Sequence, residues 1–304
     1  MFIKVKSELL SVDTPLVMGI LNLSKDSFYS GSIFPQVEDA DKRIEKLLAD
    51  GADMIDIGAV STRPGLTILK QEDEWQLLEP VLNLVNKKYS NIVFSLDTVY
   101  AETSKRAVKD FGIDIINDIS GGEFDKKMFE TVADLDVPYV LMHMRGTPEN
   151  MQEKTDYENF IEDIIFYFSE KIAQLNSMGV NDIIVDPGFG FAKTVAQNFE
   201  LLNNLERFKV FELPILAGLS RKTMIWKTLG ITPLEALNGT TVLNTIALMK
   251  GSHILRVHDV KEAKEVVKLY CNTKKQLKVK RVFSVEYEDE LRIKNCVSAS
   301  LNTR

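Results

Sequence analysis

The polar side chains that could do chemistry in this sequence stand at the ends of short apolar runs. Asp186 and the glycine-containing segment 186–191 follow the apolar run 183–185, while Asp97 and Asn117 end two similar runs. A short apolar run bounded in this way is typical of a buried strand. The repetition along the chain predicts that several strand ends direct functional groups to a common site.

A carboxylate at such a strand end has two possible roles. It can accept both N–H donors of a planar, guanidine-like ligand edge, such as that of a pterin or a guanine. It can also simply cap the helix that follows. Capping is the better interpretation for any one Asp alone, whereas three such groups on one face, Asp97, Asn117 and Asp186, favour the ligand site.

Cationic groups follow other apolar runs and indicate a phosphate or pyrophosphate. Arg63 follows the second run, and Arg256 and His258 end the last one. Residues two apart on a strand share a face, and Arg binds phosphate in a bidentate manner. Asn22, which ends the first run, could supply an oxygen ligand to Mg²⁺. For Arg63 alone, a solvated loop arginine is the simpler interpretation.

The remaining polar motifs are less specific. Ser220 and Lys222 surround the start of a predicted helix over 222–228, where Ser220 is expected either to act as an N-cap or to bind an anion. Spacing does not distinguish Lys222 from a surface lysine. His143 ends the fifth run and is interpreted as a packing residue. The three histidines and two cysteines have no zinc-ligand spacing.

The elements that must position these groups alternate between strands and helices. Apolar runs predict strands near 16–21, 53–57, 92–96, 113–116, 138–142, 182–185, 214–219 and 253–257. Helical periodicity predicts helices over 38–49, 72–87, 101–111, 125–134, 157–178, 195–206, 233–250 and 259–271. Eight such pairs predict an α/β fold, a (β/α)8 TIM barrel with its active site at the carboxyl ends of the strands. A doubly wound sheet is the alternative, but the first strand lacks the glycine turn for phosphate.

Composition limits the class of protein. The chain has 304 residues, a formal net charge of −7 and 45% hydrophobic residues, which is typical of a globular protein and argues against nonspecific nucleic-acid binding. No apolar stretch is long enough to span a membrane, so no membrane partner is expected. Two cysteines and no secretion signal predict a cytoplasmic location. The barrel domain is predicted to occupy 1–273, followed by a C-terminal extension, 274–304, of unknown role.

Taken in order, the motifs closely resemble those of the dihydropteroate synthase family. The matching segments are MGILNLSKDSF (18–28), DIGAVSTRPG (56–65), SLDT (95–98), INDISG (116–121), LMHMRGTP (141–148), DPGFGF (186–191), GLSRK (218–222) and RVH (256–258). The resemblance covers about residues 15–272. The first segment departs from the family pattern at Lys25 and again over 29–32.

The resemblance implies a transferase that joins 6-hydroxymethyl-7,8-dihydropterin diphosphate to 4-aminobenzoate, with Mg²⁺, in folate biosynthesis. It implies a homodimer and a target of sulfonamides. The pterin site would comprise Thr62, Asp97, Asn117, Asp186, Lys222 and Arg256. The pyrophosphate site would comprise Asn22, Arg63, Arg256 and His258, with Asn22 as the metal ligand. The 4-aminobenzoate site would comprise Phe28, Thr62, Pro64, Phe191 and Ser220. The catalytic set would be Asn22, Arg63, Lys222, Arg256 and His258.

Two other functions stay open at this stage. A pterin-dependent methyltransferase of the same barrel class, which passes a methyl group to a corrinoid protein, would need the pterin carboxylates but neither the loop with Arg63 nor the segment with Lys222. A catalytically inactive pterin-binding scaffold would tolerate loss of Asn22 or Arg63, and both are present.

Overall fold

The chain forms an eight-stranded barrel of parallel strands surrounded by helices. The structure is a computed structural model that describes residues 1–6, 8–23, 33–59 and 67–274. The barrel strands are β3 (Leu16–Asn22), β4 (Met54–Gly58), β5 (Val93–Asp97), β6 (Ile115–Asp118), β7 (Tyr139–Met142), β8 (Ile183–Asp186), β9 (Leu216–Ala217) and β10 (Ile254–Val257). Their order around the barrel is β8-β7-β6-β5-β4-β3-β10-β9, and a single parallel bridge between Val185 and Ile215 closes the ring. The predicted barrel is confirmed.

Helices follow the strands and cover the outside of the barrel. They are α1 (Ile33–Ala49), α2 (Gln71–Lys88), α3 (Ala101–Phe111), α4 (Met128–Leu135), α5 (Phe160–Ser177), α6 (Val195–Asn203), α7 (Thr223–Leu229), α8 (Leu237–Lys250) and α9, described over 260–274. Short 3-10 helices lie at Met151–Glu153, Leu205–Phe211 and Pro233–Glu235. Among these described segments, no helix is long and apolar enough to cross a membrane.

Local sequence signals account for several helix ends. Thr194 and Gln197 form a capping box at the start of α6, in which each side chain bonds the other residue's backbone N–H. Gly112 ends α3 in the left-handed conformation, with φ of 71°. The predicted helix over 233–250 is divided, since Pro233 starts a separate 3-10 turn before α8.

An N-terminal hairpin precedes the barrel and was not predicted from the sequence. Strands β1 (Phe2–Val5) and β2 (Glu8–Ser11) pair in antiparallel fashion. Ile3 and Val5 are buried in a cluster with the lower inward-facing side chains of the barrel, which include Met18 and Met54. The hairpin therefore closes the amino-terminal end of the barrel with apolar contacts and leaves the carboxyl end for the site.

Candidate functional site

The carboxyl ends of the strands bring polar side chains together inside the barrel. Strand pairing sets Gly58 opposite Asp97 and Asp97 opposite Asn117, so β4, β5 and β6 end at the same level. Asp186 ends β8, and its backbone carbonyl accepts a hydrogen bond from His143 N at the end of β7. Parallel strands in a barrel open on one face, which is why residues far apart in sequence meet here.

Arg256 lies at the centre of this polar group and is held by two carboxylates. Its Nε donates to Asp56 Oδ2 at 2.7 Å, and its Nη2 donates to Asp97 Oδ2 at 2.8 Å. Asn117 Nδ2 also donates to Asp56 Oδ2, at 3.1 Å. A buried guanidinium needs such partners, because an unpaired buried charge is costly. Arg256 is thus an ion-paired residue that orients Asp97.

Asp56 is a member of the site that the sequence reasoning did not select. It is fully buried, and its Oδ1 atom has no hydrogen-bond partner among the described residues. The sequence signal was present, since Asp56 interrupts the apolar β4 run just as Asp97 ends β5. Its importance comes from Arg256, which lies 200 positions further along the chain.

Two neighbouring carboxyl groups have raised pKa values because they are buried. Burial raises the pKa of Asp97, although the positive charge of Arg256 opposes this shift. Burial also raises the pKa of Glu74, in α2, to about 7, while the hydrogen bond from Thr98 Oγ1, at 2.8 Å, acts in the opposite direction. The negative charge of Glu74 contributes to the raised pKa of Asp97. Glu74 was not selected from the sequence.

On the other side of the barrel mouth, Asp186 faces Lys222 across a glycine-containing loop. Asp186 Oδ1 accepts a hydrogen bond from Gly188 N at 2.8 Å. Lys222 Nζ donates to the carbonyl of Phe189 and lies 4.6 Å from the ring centroid of Phe191. Burial lowers the pKa of Lys222 to about 8, and the charge of Asp186 partly offsets that effect. Lys222 therefore lies in the barrel mouth beside Asp186, and its amino group is not that of a solvated surface lysine.

Ser220 does not cap the helix that follows it; the residue at the N-cap of α7 is Lys222. Instead, Ser220 Oγ lies 3.0 Å from His258 Nδ1 and accepts a hydrogen bond from His258 N at 3.2 Å. Burial and the charge of Arg256 lower the pKa of His258 to about 4. Its ring is therefore neutral near pH 7, so a contact with an anion at this position would be a hydrogen bond and not an ion pair.

Asn22 and Phe191 are at the mouth, and the other predicted loop residues are not described. Asn22 ends β3, and a Cβ atom added to Gly58 would lie 3.3 Å from Asn22 Oδ1, so this amide lies beside the end of β4. Phe191 is buried, 8% exposed. The remaining predicted site residues, Phe28, Thr62, Arg63 and Pro64, lie outside the described residues, as do Lys25, segment 29–32 and the extension from 275 onwards.

The barrel with carboxylates, an amide and a lysine at its mouth agrees with the family comparison. Residues 18–258 match the model of the family described as "Pterin binding enzyme", and the chain belongs to this family. Within it, the chain is 38% identical to "Dihydropteroate synthase" of Escherichia coli strain K12 over 262 residues, which is 86% of this chain and 92% of the relative.

Solved structures give the same result. The chain is similar to the Yersinia pestis dihydropteroate synthase in complex with a sulfonamide drug, with a TM-score of 0.84, 34% identity, and coverage of 91% of this chain and 100% of the other. It is also similar to the Xanthomonas albilineans dihydropteroate synthase with 4-aminobenzoic acid, with a TM-score of 0.82, 33% identity, and coverage of 90% and 98%. The resemblance found in the sequence motifs is confirmed.

Proposed function

We propose that this chain catalyses the dihydropteroate synthase reaction of folate biosynthesis. In this reaction 6-hydroxymethyl-7,8-dihydropterin diphosphate and 4-aminobenzoate give 7,8-dihydropteroate and pyrophosphate. The proposal rests on the family, on relatives of that name covered over nearly their whole length, and on the site. The observation that carries it is the convergence of Asp97, Asn117 and Asp186 with Lys222 at one end of a closed barrel.

The pterin would be bound through its amino-pyrimidinone edge. Asp186 would accept its parallel N–H donors, and charge-assisted bonds of this kind contribute about 1.5–3 kcal/mol each. Asp97 and Asn117 would bind the other edge of the ring system, with Arg256 holding Asp97 in place. Lys222 would donate to a ring carbonyl or nitrogen. Thr62 is proposed as a further contact.

The diphosphate would be bound by Asn22, Arg63, Arg256 and His258. The contact of His258 with Ser220 supports this role: with the Ser220 hydroxyl as donor to Nδ1, the ring proton would be on Nε2, which could then donate to a phosphate oxygen. The amide oxygen of Asn22 fits Mg²⁺, which takes one or two protein oxygens and completes its shell with water and phosphate. No three His, Cys, Asp or Glu residues of the described part are grouped to hold a metal by themselves. When bound, Mg²⁺ supplies charge neutralisation to the leaving pyrophosphate.

The 4-aminobenzoate would be bound by Phe28, Thr62, Pro64, Phe191 and Ser220. The C–O bond between the pterin methylene and the diphosphate breaks, the amine nitrogen forms the new C–N bond, and one amine proton passes to solvent or phosphate. A neutral aromatic amine is already a nucleophile, so the reaction needs no strong general base. Lys222, Arg256 and His258 would act by positioning and by stabilising charge.

The exposed apolar side chains of the last helices support a homodimer. Leu229 and Leu234 are 56% and 84% exposed, and Val242, Met249 and Leu269 are 49%, 71% and 69% exposed. They are five of the twelve large hydrophobic side chains exposed in the described residues, and apolar side chains exposed on neighbouring elements are typical of an interface. Light scattering should give twice the monomer mass of 34.4 kDa, and Met249→Glu should shift it towards the monomer. A monomeric wild-type protein would contradict the dimer.

A cytoplasmic location is also proposed. It agrees with the small number of cysteines, two in the whole chain, and Cys271 has no disulfide partner among the described residues. Fractionation of the producing cells should recover the protein with cytoplasmic markers, and recovery with the membrane fraction would contradict this location.

The direct test is formation of product by the purified full chain. With both substrates and Mg²⁺, mass spectrometry should detect dihydropteroate and pyrophosphate in equal amounts. A sulfonamide should inhibit in competition with 4-aminobenzoate. Asp186→Asn should abolish most activity, whereas Asp182→Asn, just before the same strand and at the opposite end of the barrel, should retain it. Pterin binding without product would favour the scaffold function, and absence of pterin binding would overturn the proposal.

A further inference from the structure

Lys193 is a buried lysine for which the reaction described above assigns no role. Its side chain is 2% exposed, and its Nζ atom lies 2.9 Å from the carbonyl of Gly188, 2.9 Å from that of Phe191 and 3.0 Å from His143 Nδ1. The carbonyl of His143 lies a further 3.5 Å from Nζ, and burial lowers the pKa of Lys193 well below its usual range. These partners are neutral, which is unusual for a buried lysine.

Two of the three partners, Gly188 and Phe191, belong to the loop 187–192, which lies beside Asp186 and Lys222. Gly188 donates its N–H to Asp186 Oδ1, and Phe191 lies beneath the ammonium of Lys222. The carbonyl of Phe189, between them, accepts the hydrogen bond of Lys222. The amino group of Lys193 thus binds the carbonyls on both sides of Phe189, the residue whose carbonyl holds Lys222.

The loop has backbone conformations that need external support. Gly188, Gly190 and Ala192 have positive φ values of 72°, 85° and 48°, and the last of these has a side chain. At Gly188, a Cβ atom would lie 2.1 Å from the carbonyl oxygen of His143, so the loop packs directly on the end of β7. A non-glycine residue in this region costs about 1–3 kcal/mol and persists only where its surroundings hold it.

His143 links the same lysine to the neighbouring strand. The ring is 2% exposed, and burial together with the charge of Lys193 lowers its pKa well below the usual range. The neutral ring shares a hydrogen bond with Lys193 Nζ through its Nδ1 atom. His143 N also donates to the carbonyl of Asp186 at 3.0 Å. Lys193 and His143 together fix the backbone on both sides of the Asp186 carboxylate.

We propose that Lys193 is a positioning residue for pterin binding, which acts through the backbone of 187–192 on Asp186 and Lys222. This inference rests on the proposed function, since it assumes that these two residues bind the pterin. Replacement of Lys193 keeps Asp186 and Lys222 in the chain but removes the hydrogen bonds that hold the backbone of 187–192 between them. A misplacement of about 1 Å can cost on the order of 100-fold in an enzyme's efficiency.

The test compares Lys193→Met with Lys171→Met. Lys171 is also largely buried, 17% exposed, but it pairs with Glu123 on the outside of the barrel. Calorimetry measures binding of 6-hydroxymethyl-7,8-dihydropterin diphosphate in the presence of Mg²⁺ and the absence of 4-aminobenzoate. Lys193→Met should bind roughly 10- to 100-fold more weakly than wild type. Lys171→Met should bind the pterin diphosphate with the affinity of wild type, even where the variant is less stable than wild type.

A spectroscopic measurement separates positioning from simple loss of stability. The chain has three histidines, so ¹⁵N-histidine NMR gives few ring signals. The Nδ1 signal of His143 should shift in Lys193→Met and stay unchanged in Lys171→Met, and in wild type it should move on addition of the pterin. If Lys193→Met does not fold, Lys193→Gln, which keeps two donors, takes its place in both measurements.

The outcomes are distinguishable. Wild-type protein that fails to bind the pterin contradicts the proposed function itself. Wild-type protein that binds and turns over, together with a folded Lys193 variant that binds within twofold of it, overturns the positioning role. An unchanged His143 signal on addition of the pterin to wild type overturns it as well.

Discussion

The two ends of the barrel are built from the same strands but have opposite chemistry. At the amino-terminal end, Ile115, Ile184 and Ile254 belong to a buried apolar cluster that the hairpin completes. Two residues further along the same strands, on the same inward face, stand the polar residues Asn117, Asp186 and Arg256. The inward-facing side chains therefore change from apolar to polar over two residues, the spacing of neighbouring side chains on one face of a strand.

This difference separates the part of the barrel interior that stabilises from the part that binds. Apolar burial at the closed end is favourable in any state of the protein. At the open end, Asp56 and Asp97 share one guanidinium, and one carboxylate oxygen has no described partner. Groups kept buried in this way cost free energy, which fits the proposal that they accept hydrogen bonds from a ligand. Variants at the two ends should therefore affect different measurements.

Removal of Arg256 should have the largest effect. Arg256→Met leaves Asp56 and Asp97 buried without their cation, which typically costs about 3–5 kcal/mol. Urea unfolding should show this loss, and pterin binding should be lost with it. Adding Asp56→Asn to this variant should restore part of the stability, because one uncompensated charge is removed. A loss below about 1 kcal/mol for the single variant would mean that the ion pairs contribute little.

A change at the closed end should reduce stability alone. Ile3 is 1% exposed in the hairpin, and Ile3→Ala should cost about 2–4 kcal/mol through lost burial and a cavity. Pterin affinity, measured where the variant is fully folded, should equal that of wild type. A tenfold change in pterin affinity would show that the two ends of the barrel are coupled and would contradict their separate roles.

The carboxyl group of Glu74 should make stability depend on pH. Since its pKa rises from 4.5 to about 7 on folding, the folded chain holds this proton more tightly than the unfolded chain does. The stability that this proton provides is present below about pH 4.5 and is lost as the pH rises towards about 7. Glu74→Gln mimics the protonated form.

The free energy of unfolding of Glu74→Gln should equal that of wild type at about pH 4. At about pH 8 it should be higher than that of wild type by up to about 3 kcal/mol, since each pKa unit corresponds to about 1.4 kcal/mol. Glu72→Gln, exposed in the same helical turn, is the control and should show no such difference. Equal free energies of unfolding for wild type and Glu74→Gln at both pH values would contradict the raised pKa of Glu74.

Asp186→Asn should weaken binding with little effect on the fold. The amide turns one acceptor into a donor that faces a donor of the pterin, at a cost of about 2 kcal/mol, or roughly 30-fold in Kd. The matched change is Asp182→Asn, where the carboxylate accepts from Lys4 N of the hairpin at 2.8 Å. That variant should lose stability and keep its affinity. Unchanged affinity in Asp186→Asn, measured by calorimetry, would refute the pterin assignment.

The sequence was sufficient to predict the barrel and the positions of Asp97, Asn117 and Asp186, because each ends a strand and strand ends converge. It was not sufficient for Asp56, whose partner Arg256 lies 200 positions away, or for Lys193, whose partner His143 lies 50 positions away on another strand end. The hairpin was missed because its strands have four residues each and its second strand is largely exposed. The hydrogen bond between Ser220 and His258 could not be predicted from helix-capping preferences or from sequence spacing, since the two residues lie on different strand ends.

The barrel is closed by a seam that is much weaker than its other strand pairs. Strand β9 has two residues, and a single bridge, Val185 to Ile215, joins it to β8. A short, sparsely bonded pair of this kind opens locally at lower free energy than the rest of a sheet, so its amides should exchange with solvent first. The proposed pterin contacts Asp186 on one side of this seam and Lys222 on the other. A bound substrate would then bridge the two sides of the seam. It would slow amide hydrogen exchange there and raise the melting temperature of the whole barrel.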